Sequence, residues 1–96
     1  MKKGYWIATY RKILDPQKLT KYAELAGPVI NKVGGKILVR GMPTISFEEG
    51  LNERTVVIEF EDVETAINAH NSEDYKKALE ALDGGVVRDL RIVEGV

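Results

Sequence analysis

Arg40 and Glu59 are charged residues that lie next to apolar segments of this sequence. A guanidinium among apolar neighbours needs a carboxylate partner or a ligand that carries one. Two interpretations follow: Arg40 forms an ion pair with Glu59 on a neighbouring strand, or it anchors a small acidic or enolic molecule. Without a cation beside it, Glu59 is itself a candidate proton carrier.

A second polar group consists of His70, Asn71, Ser72 and Tyr75, which lie within about one and a half helical turns. Their imidazole, amide, hydroxyl and phenol suit a small pocket, with Asn71 and Tyr75 on one helix face. The alternative is a break in the helix, at which Ser72 caps a new helix, Asn71 bonds to loosened carbonyls and Tyr75 fills the core. His70 is then either a general base or a partly exposed residue.

Two aromatic residues, Trp6 and Tyr10, alternate on one face of a strand. They predict either the wall of a pocket or ordinary core packing. Tyr5 points to the other face of the same strand. Arg54 lies near a loop, where we expect it to face solvent.

The residue types that the chain lacks limit its chemistry. It has no cysteine and one histidine, which excludes thiolate catalysis and Cys-based or His-rich metal sites. Nucleophile motifs are absent, and Gly34-Gly35 lacks the further glycines and lysine of a phosphate-binding loop. We expect neither a metal nor a cofactor, and the sequence identifies no catalytic residue.

The elements that position these residues begin with a strand and a helix. Residues Tyr5–Arg11 are rich in aromatic and β-branched side chains, which indicates strand one. Asp15 can cap a helix that starts at Pro16, and apolar residues then recur every three or four positions as far as Gly34. Pro28 removes one backbone bond, so we expect a kink there and no end.

The remaining elements follow a similar order. Strand two, Lys36–Gly41, carries apolar residues that we expect to be buried on both sides, and Thr44–Phe47 has the pattern of a short extra strand. Strand three is predicted at Arg54–Glu61. Asp62 caps the second helix, which breaks at the polar group described above. Strand four is predicted at Val86–Glu94.

This order of elements is the split βαβ or ferredoxin-like plan, of class α+β. It predicts a four-stranded antiparallel sheet with both helices on one face. Strands one to three nevertheless carry consecutive apolar residues, half of which must point to the uncovered face. Because an apolar surface of that extent is an interaction surface, we expect a second copy to cover it, giving a homodimeric α/β barrel with an internal cavity.

Length, composition and charge set the broader class. A chain of 96 residues, with 44% hydrophobic and 30% charged, fits one domain over residues 1–96. No signal or membrane segment is indicated, so we expect a cytoplasmic protein without membrane contact. Residues 1–48 carry nine Lys or Arg and three Asp or Glu, while residues 49–96 carry five and twelve. We expect these halves to interleave, so that their charges attract.

Motifs along the whole chain resemble one known family. They are Gly4-Tyr5-Trp6-Ile7-Ala8, Asp15-Pro16, Tyr22, Gly34-Gly35, Arg40-Gly41, Glu49-Gly50, Arg54, Val57-Ile58-Glu59-Phe60, Asn71-Ser72, Tyr75 and Val93-Glu94-Gly95. In this order they are similar to the domain-of-unknown-function family thirteen-thirty. The resemblance implies the dimeric α/β-barrel superfamily, whose relatives include small cofactor-free monooxygenases, muconolactone-type isomerases and ligand-binding proteins.

The sequence is therefore consistent with two functions. The first is a homodimeric barrel that binds a small anionic or enolic metabolite, with cofactor-independent catalysis as an extension. The second is a purely structural or interaction module that forms the homodimer. RNA binding is a distant third, because strand three lacks the basic and glycine–aromatic pattern of that class and we expect no nucleic-acid partner. The candidate ligand-binding residues are Arg40, Asn71, Ser72, Tyr75, Trp6, Glu59 and His70.

Overall fold

The computed structural model describes residues 2–96, which form four strands and three helices. In chain order the elements are β1 (Gly4–Ile13), α1 (Pro16–Lys32), β2 (Lys36–Gly41), β3 (Thr55–Phe60), α2 (Val63–His70), α3 (Glu73–Leu82) and β4 (Val86–Glu94). The strands make one antiparallel sheet, and the helices pack on one of its faces. The predicted ferredoxin-like α+β fold is confirmed, with the second helix in two pieces.

The strand order β2-β3-β1-β4 brings the two halves of the chain together in alternation. Ion pairs join the halves: Lys18 Nζ lies 3.0 Å from Asp83 Oδ2, and Arg11 Nη2 lies 3.7 Å from Asp89 Oδ2. The interleaving that the charge pattern predicts is confirmed. These pairs are largely exposed, so their contribution is modest and falls with salt.

The pairing register divides the side chains of the sheet between two faces. The covered face lies beneath the helices and includes Trp6, Ala8, Tyr10, Val56, Ile58, Phe60, Arg88 and Leu90. The open face, on the other side, includes Tyr5, Ile7, Val39, Val57, Glu59, Arg91 and Val93. Because successive residues of a strand point to opposite sides, the same strands supply both faces.

Helix α1 begins and ends where its sequence indicates. The Asp15 carboxylate accepts hydrogen bonds from the first turn, and Pro28 does not end the helix. At the other end Gly34 adopts φ +78°, and the Gly35 N–H donates to the Ile30 carbonyl at 2.8 Å. Within residues 2–96, α1 is the longest helix, and no helix there is long and apolar enough to cross a bilayer.

The predicted break in the second helix is confirmed. Asp62 caps α2, its carboxylate accepting from the Thr65 N–H at 2.7 Å. Ser72 then caps α3: its hydroxyl accepts from the Tyr75 N–H at 3.2 Å and donates to the Ala69 carbonyl at 2.8 Å. One side chain therefore satisfies backbone groups of both helices, which makes the break stable.

The core lies between the covered face and the helices, centred on aromatic residues. The Trp6 ring centroid lies 5.1 Å from that of Phe60 and 5.1 Å from that of Tyr75. The Trp6 indole N–H donates to the Ala66 carbonyl of α2 at 2.8 Å, so its polar atom is satisfied. Core packing of Trp6 and Tyr10, one of the two interpretations offered by the sequence, is confirmed.

Two expectations about the sheet are wrong. Residues Thr44–Phe47 form no strand, because they lie in an exposed connection without a neighbouring strand to bond. The side chains of Ile37, Leu38 and Val39 are 41%, 48% and 48% exposed instead of buried on both sides. Ile37 is exposed because β2 lies at the edge of the sheet, where the helices cover it only in part, whereas Val39 lies on the open face, which has no helices over it.

Candidate anion-binding site

A cavity of about 70 Å³ lies between α1 and the covered face of the sheet. Its wall includes the buried aromatic residues Trp6, Tyr10 and Tyr22. It also includes the exposed residues Ile37 and Arg40, so the cavity reaches the surface beside the edge strand β2. The wall is mostly apolar, which favours an organic ligand with a few fixed polar contacts.

The charged residues of this cavity all have the same sign. Arg40, Arg54 and Arg88 line it, and the lining contains no Asp, Glu or His. None of the three arginines forms a salt bridge with another residue of the described segment 2–96. The cavity therefore has an uncompensated positive potential that would attract an anion.

Arg88 on β4 is held by three tyrosines, which we name the tyrosine cage. Its Nη1 donates to the hydroxyls of Tyr10 at 3.1 Å and Tyr22 at 3.3 Å, and its Nη2 donates to that of Tyr75 at 3.1 Å. The Tyr22 and Tyr75 hydroxyls are 2.6 Å apart. The guanidinium also lies 4.8 Å from the centroid of the Tyr22 ring, a cation–π contact.

The contacts between Arg88 and the cage fix the protonation of Arg88 and of Tyr75. Burial lowers the pKa of the Arg88 guanidinium, but its interactions with the Tyr22 and Tyr75 oxygens outweigh burial and hold the pKa above the ordinary value. Burial also raises the pKa of the Tyr75 phenol, and Tyr22 adds to the rise against the opposing effect of Arg88. Arg88 therefore stays charged, and Tyr75 stays protonated, at neutral pH.

Arg54 enters the same cavity from the residue that precedes β3. Its guanidinium carbon lies 5.8 Å from the centroid of the Tyr10 ring, and its buried Nε has no hydrogen-bond partner among residues 2–96. The expectation that Arg54 faces solvent is met only in part, because the residue is half-buried and its Nε is enclosed. Its carbonyl accepts from the Tyr10 N–H at 3.0 Å, which extends the β1–β3 pairing by one residue and fixes Arg54 beside Tyr10.

The predicted ion pair between Arg40 and Glu59 does not form. Arg40 pairs with Val56, a residue of the covered face, and it lines the cavity as the alternative interpretation requires. Glu59 lies on the open face, where its carboxylate accepts from the Tyr5 hydroxyl at 3.1 Å. The two side chains are on opposite sides of the sheet, so Glu59 lies outside the cavity.

The four residues at the break between α2 and α3 do not form one pocket, and the prediction that the break faces the cavity is wrong. Asn71 ends α2 and is exposed, and the Ser72 hydroxyl is used in capping. The His70 ring packs against Tyr75, with centroids 5.0 Å apart, and against Trp6. Tyr75 alone reaches the site, through its hydroxyl bond to Arg88.

Sequence reasoning missed the central residue, Arg88, although a signal was present. Arg88 alternates with Leu90 and Ile92, so the period of two places it on the covered face with them. Tyr22 lies in the apolar stripe of α1, and the pattern does not show that its hydroxyl bonds to an arginine. The sequence pattern predicts the face on which each residue lies, but it does not predict that the polar atoms of these residues meet.

The chain was also compared with known proteins. A family described as Domain of unknown function (DUF1330) matches residues 3–96. The chain belongs to this family. No curated protein matches the DUF1330 chain significantly.

Solved structures with low sequence identity share the fold of this DUF1330 protein. A Rhodopseudomonas palustris protein of unknown function has a TM-score of 0.79 at 15% identity, over 99% of this chain and 83% of the other. A putative antibiotic biosynthesis monooxygenase from Caulobacter crescentus has 0.59 at 17%, over 99% and 91%. SnoaB, a cofactor-independent oxygenase from Streptomyces nogalater, has 0.65 at 10%, over 97% and 92%.

Proposed function

We propose that this DUF1330 protein binds a small anionic or enolic organic molecule in the cavity between α1 and the covered face. The observation that carries the proposal is Arg88, a mostly buried guanidinium held by three phenols and no carboxylate. Phenols supply dipoles without a negative charge, whereas a buried cation ordinarily has an anionic partner. A carboxylate or enolate in the cavity would supply that partner.

The size of the cavity limits the enclosed part of the ligand. An engineered cavity of about 150 Å³ holds benzene, so about 70 Å³ accommodates an acid group and a short carbon chain. Apolar side chains such as Ala8 and Leu90 would contact that chain. Any larger part of the ligand would extend past Arg40 to the surface.

A second candidate function is cofactor-independent catalysis on a substrate that enters as its enolate. Arg88 and the tyrosine cage supply fixed positive potential of the kind that stabilises developing negative charge. The structural similarity to SnoaB, described as a cofactor-independent oxygenase, supports this class of reaction. The cavity lining contains no carboxylate or imidazole to remove a proton, so we place binding ahead of catalysis.

We also propose that a second copy of the chain covers the open face, sheet to sheet. Ile7 and Val57 form an apolar centre there, and Val39 and Val93 remain 48% and 44% exposed. Sedimentation at micromolar concentration should give about twice the chain mass of 10.7 kDa, and a stable monomer would contradict the proposal.

A protein that serves only as an interaction module requires the open face but does not require arginines in the cavity. Binding of a ligand in the cavity therefore distinguishes the first function from the second.

The fluorescence of Trp6 gives a direct test of binding, because Trp6 is the only tryptophan and lines the cavity. We expect straight-chain carboxylates from acetate to pentanoate to change its fluorescence saturably, and the corresponding amides to have no effect. Arg88→Gln should weaken carboxylate binding at least about tenfold through loss of a charge-assisted contact.

Two further variants control this test. Arg88→Lys keeps the charge without the planar fork and should bind with intermediate affinity if it folds. Arg11→Gln removes an exposed arginine outside the cavity and should bind like the native protein. An equal response to carboxylates and amides, or no response to either, would contradict the proposed binding.

A further inference from the structure

We propose that the ligand is a short diacid, with one carboxylate held at Arg88 and the other at Arg54. This inference rests on the proposed function and specifies its ligand class. Both arginines line one cavity, and neither has an acidic partner within residues 2–96. A monoacid would neutralise one of the two charges and leave the other unpaired.

Arg54 supplies an observation that is independent of Arg88. Its Nε is a buried donor that finds no acceptor in the described part of the chain, whereas nearly all buried polar groups in proteins are hydrogen-bonded. Leaving such a donor unsatisfied destabilises the folded chain, so a ligand oxygen that accepts from it would be bound favourably. Arg40 needs no such partner, because it is exposed and water screens its charge.

Tyr10 limits the separation between the two acid groups. The guanidinium carbons of Arg54 and Arg88 lie 5.8 Å and 5.6 Å from the centroid of its ring, so they are at most about 11 Å apart. Each guanidinium–carboxylate contact takes up roughly 4 Å between the two carbons. For two carboxylates that lie between the guanidinium groups, at most roughly 3 Å remains between the carboxyl carbons, which fits acids whose carboxylates are separated by one or two carbons.

Malonate and succinate are probes whose carboxylates lie within this limit. We expect succinate to change Trp6 fluorescence with a Kd at least about tenfold lower than that of succinamate, which has the same chain and one carboxylate. Affinity should fall again for adipate, whose carboxylates are too far apart for both arginines. Inorganic phosphate carries similar charge in one compact group and should bind less tightly than succinate.

Arg54→Gln tests the assignment of the second carboxylate. The preference for succinate over succinamate should shrink to about twofold in this variant, and Arg54→Lys should restore part of it. Arg11→Gln should keep the full preference, and melting curves would show that each variant is folded.

The outcomes separate this inference from the proposed function. Equal affinity for succinate and succinamate, a preference that Arg54→Gln leaves intact, or tighter binding of phosphate would overturn the diacid and leave anion binding standing. Failure of every carboxylate to bind the folded native protein would overturn both.

Discussion

The two faces of the sheet are made by the same strands and differ in what they enclose. The covered face carries Arg88 and Tyr10, and the helices above it add Tyr22 and Tyr75 to form a largely buried layer. The open face carries Ile7, Val57 and other β-branched residues that remain partly exposed. Alternation along one strand therefore separates a site for a small molecule from a surface suited to another protein.

Two arginines of β4, one on each face, show how the environment of a charged side chain differs between the open face and the covered face. Arg91 lies on the open face, where its Nε is 3.0 Å from Asp89 Oδ1 and its side chain is 72% exposed. Such a pair is screened by water and contributes little. Arg88, three residues earlier, faces the low-dielectric interior, where three phenols accept its hydrogen bonds. The same residue type is therefore a surface charge on one face and a candidate ligand anchor on the other.

The largest expected effect is on the covered face, at Phe60. Phe60 is fully buried against Trp6, so Phe60→Ala should lower the free energy of unfolding by about 3–5 kcal/mol through loss of contacts and the cavity left behind. Urea denaturation followed by Trp6 fluorescence measures this. Phe47→Ala changes the other phenylalanine, which is 73% exposed, and should shift stability by less than about 0.5 kcal/mol.

Two phenols, one on each side of the sheet, give the next contrast. Tyr75→Phe removes an acceptor from Arg88 and leaves a buried donor unsatisfied, which should cost about 1–3 kcal/mol in urea denaturation. Tyr5→Phe removes a hydroxyl that bonds to Glu59 on the open face, where water can replace it, and should cost less. Equal losses in the two variants would show that the cage is no more enclosed than the open face.

The junction of α2 and α3 is expected to show a smaller effect. Ser72→Ala removes the cap of α3 and should destabilise the chain by about 1 kcal/mol. Asn71→Ala alters an exposed side chain and should change stability by less than about 0.5 kcal/mol. If Asn71→Ala lost carboxylate binding, Asn71 would contribute to the binding site, which would contradict its exposed position outside the cavity.

The smallest effect on the fold is expected on the open face itself. Ile7→Asp places a charge at its centre and should cost the single chain no more than about 1 kcal/mol, the range of strand propensities. If a second copy covers this face, the same substitution buries the charge and should abolish the dimer. Sedimentation would then give one chain mass for the variant and two for the native protein, whereas an unchanged dimer would exclude this face as the interface.

Sequence alone determined the order and type of the elements, because those signals are local. Asp15, Asp62 and Ser72 each precede a helix as capping residues, and all three do cap one. Periods of two and of three to four located the strands and helices, and Ser72 followed by Glu73 and Asp74 located the break between α2 and α3. The connection at 42–54 is largely exposed and has neither a cap nor a hydrophobic period that defines an element, and the extra strand predicted there is absent.

Tertiary structure decided which residues meet at the site. A register shift between Ile37 and Val39 places Arg40 on the covered face, away from Glu59, and no local pattern encodes that shift. Arg88 and its tyrosine cage draw on β1, α1, α3 and β4, and Arg88 lies 78 positions after Tyr10 in the chain. Periodicity can place each of these residues on a face, but packing of the helices on the sheet sets the distances between their polar atoms. Because the interaction of charges depends on those distances and on burial, the anion-binding cavity is a property of the folded chain.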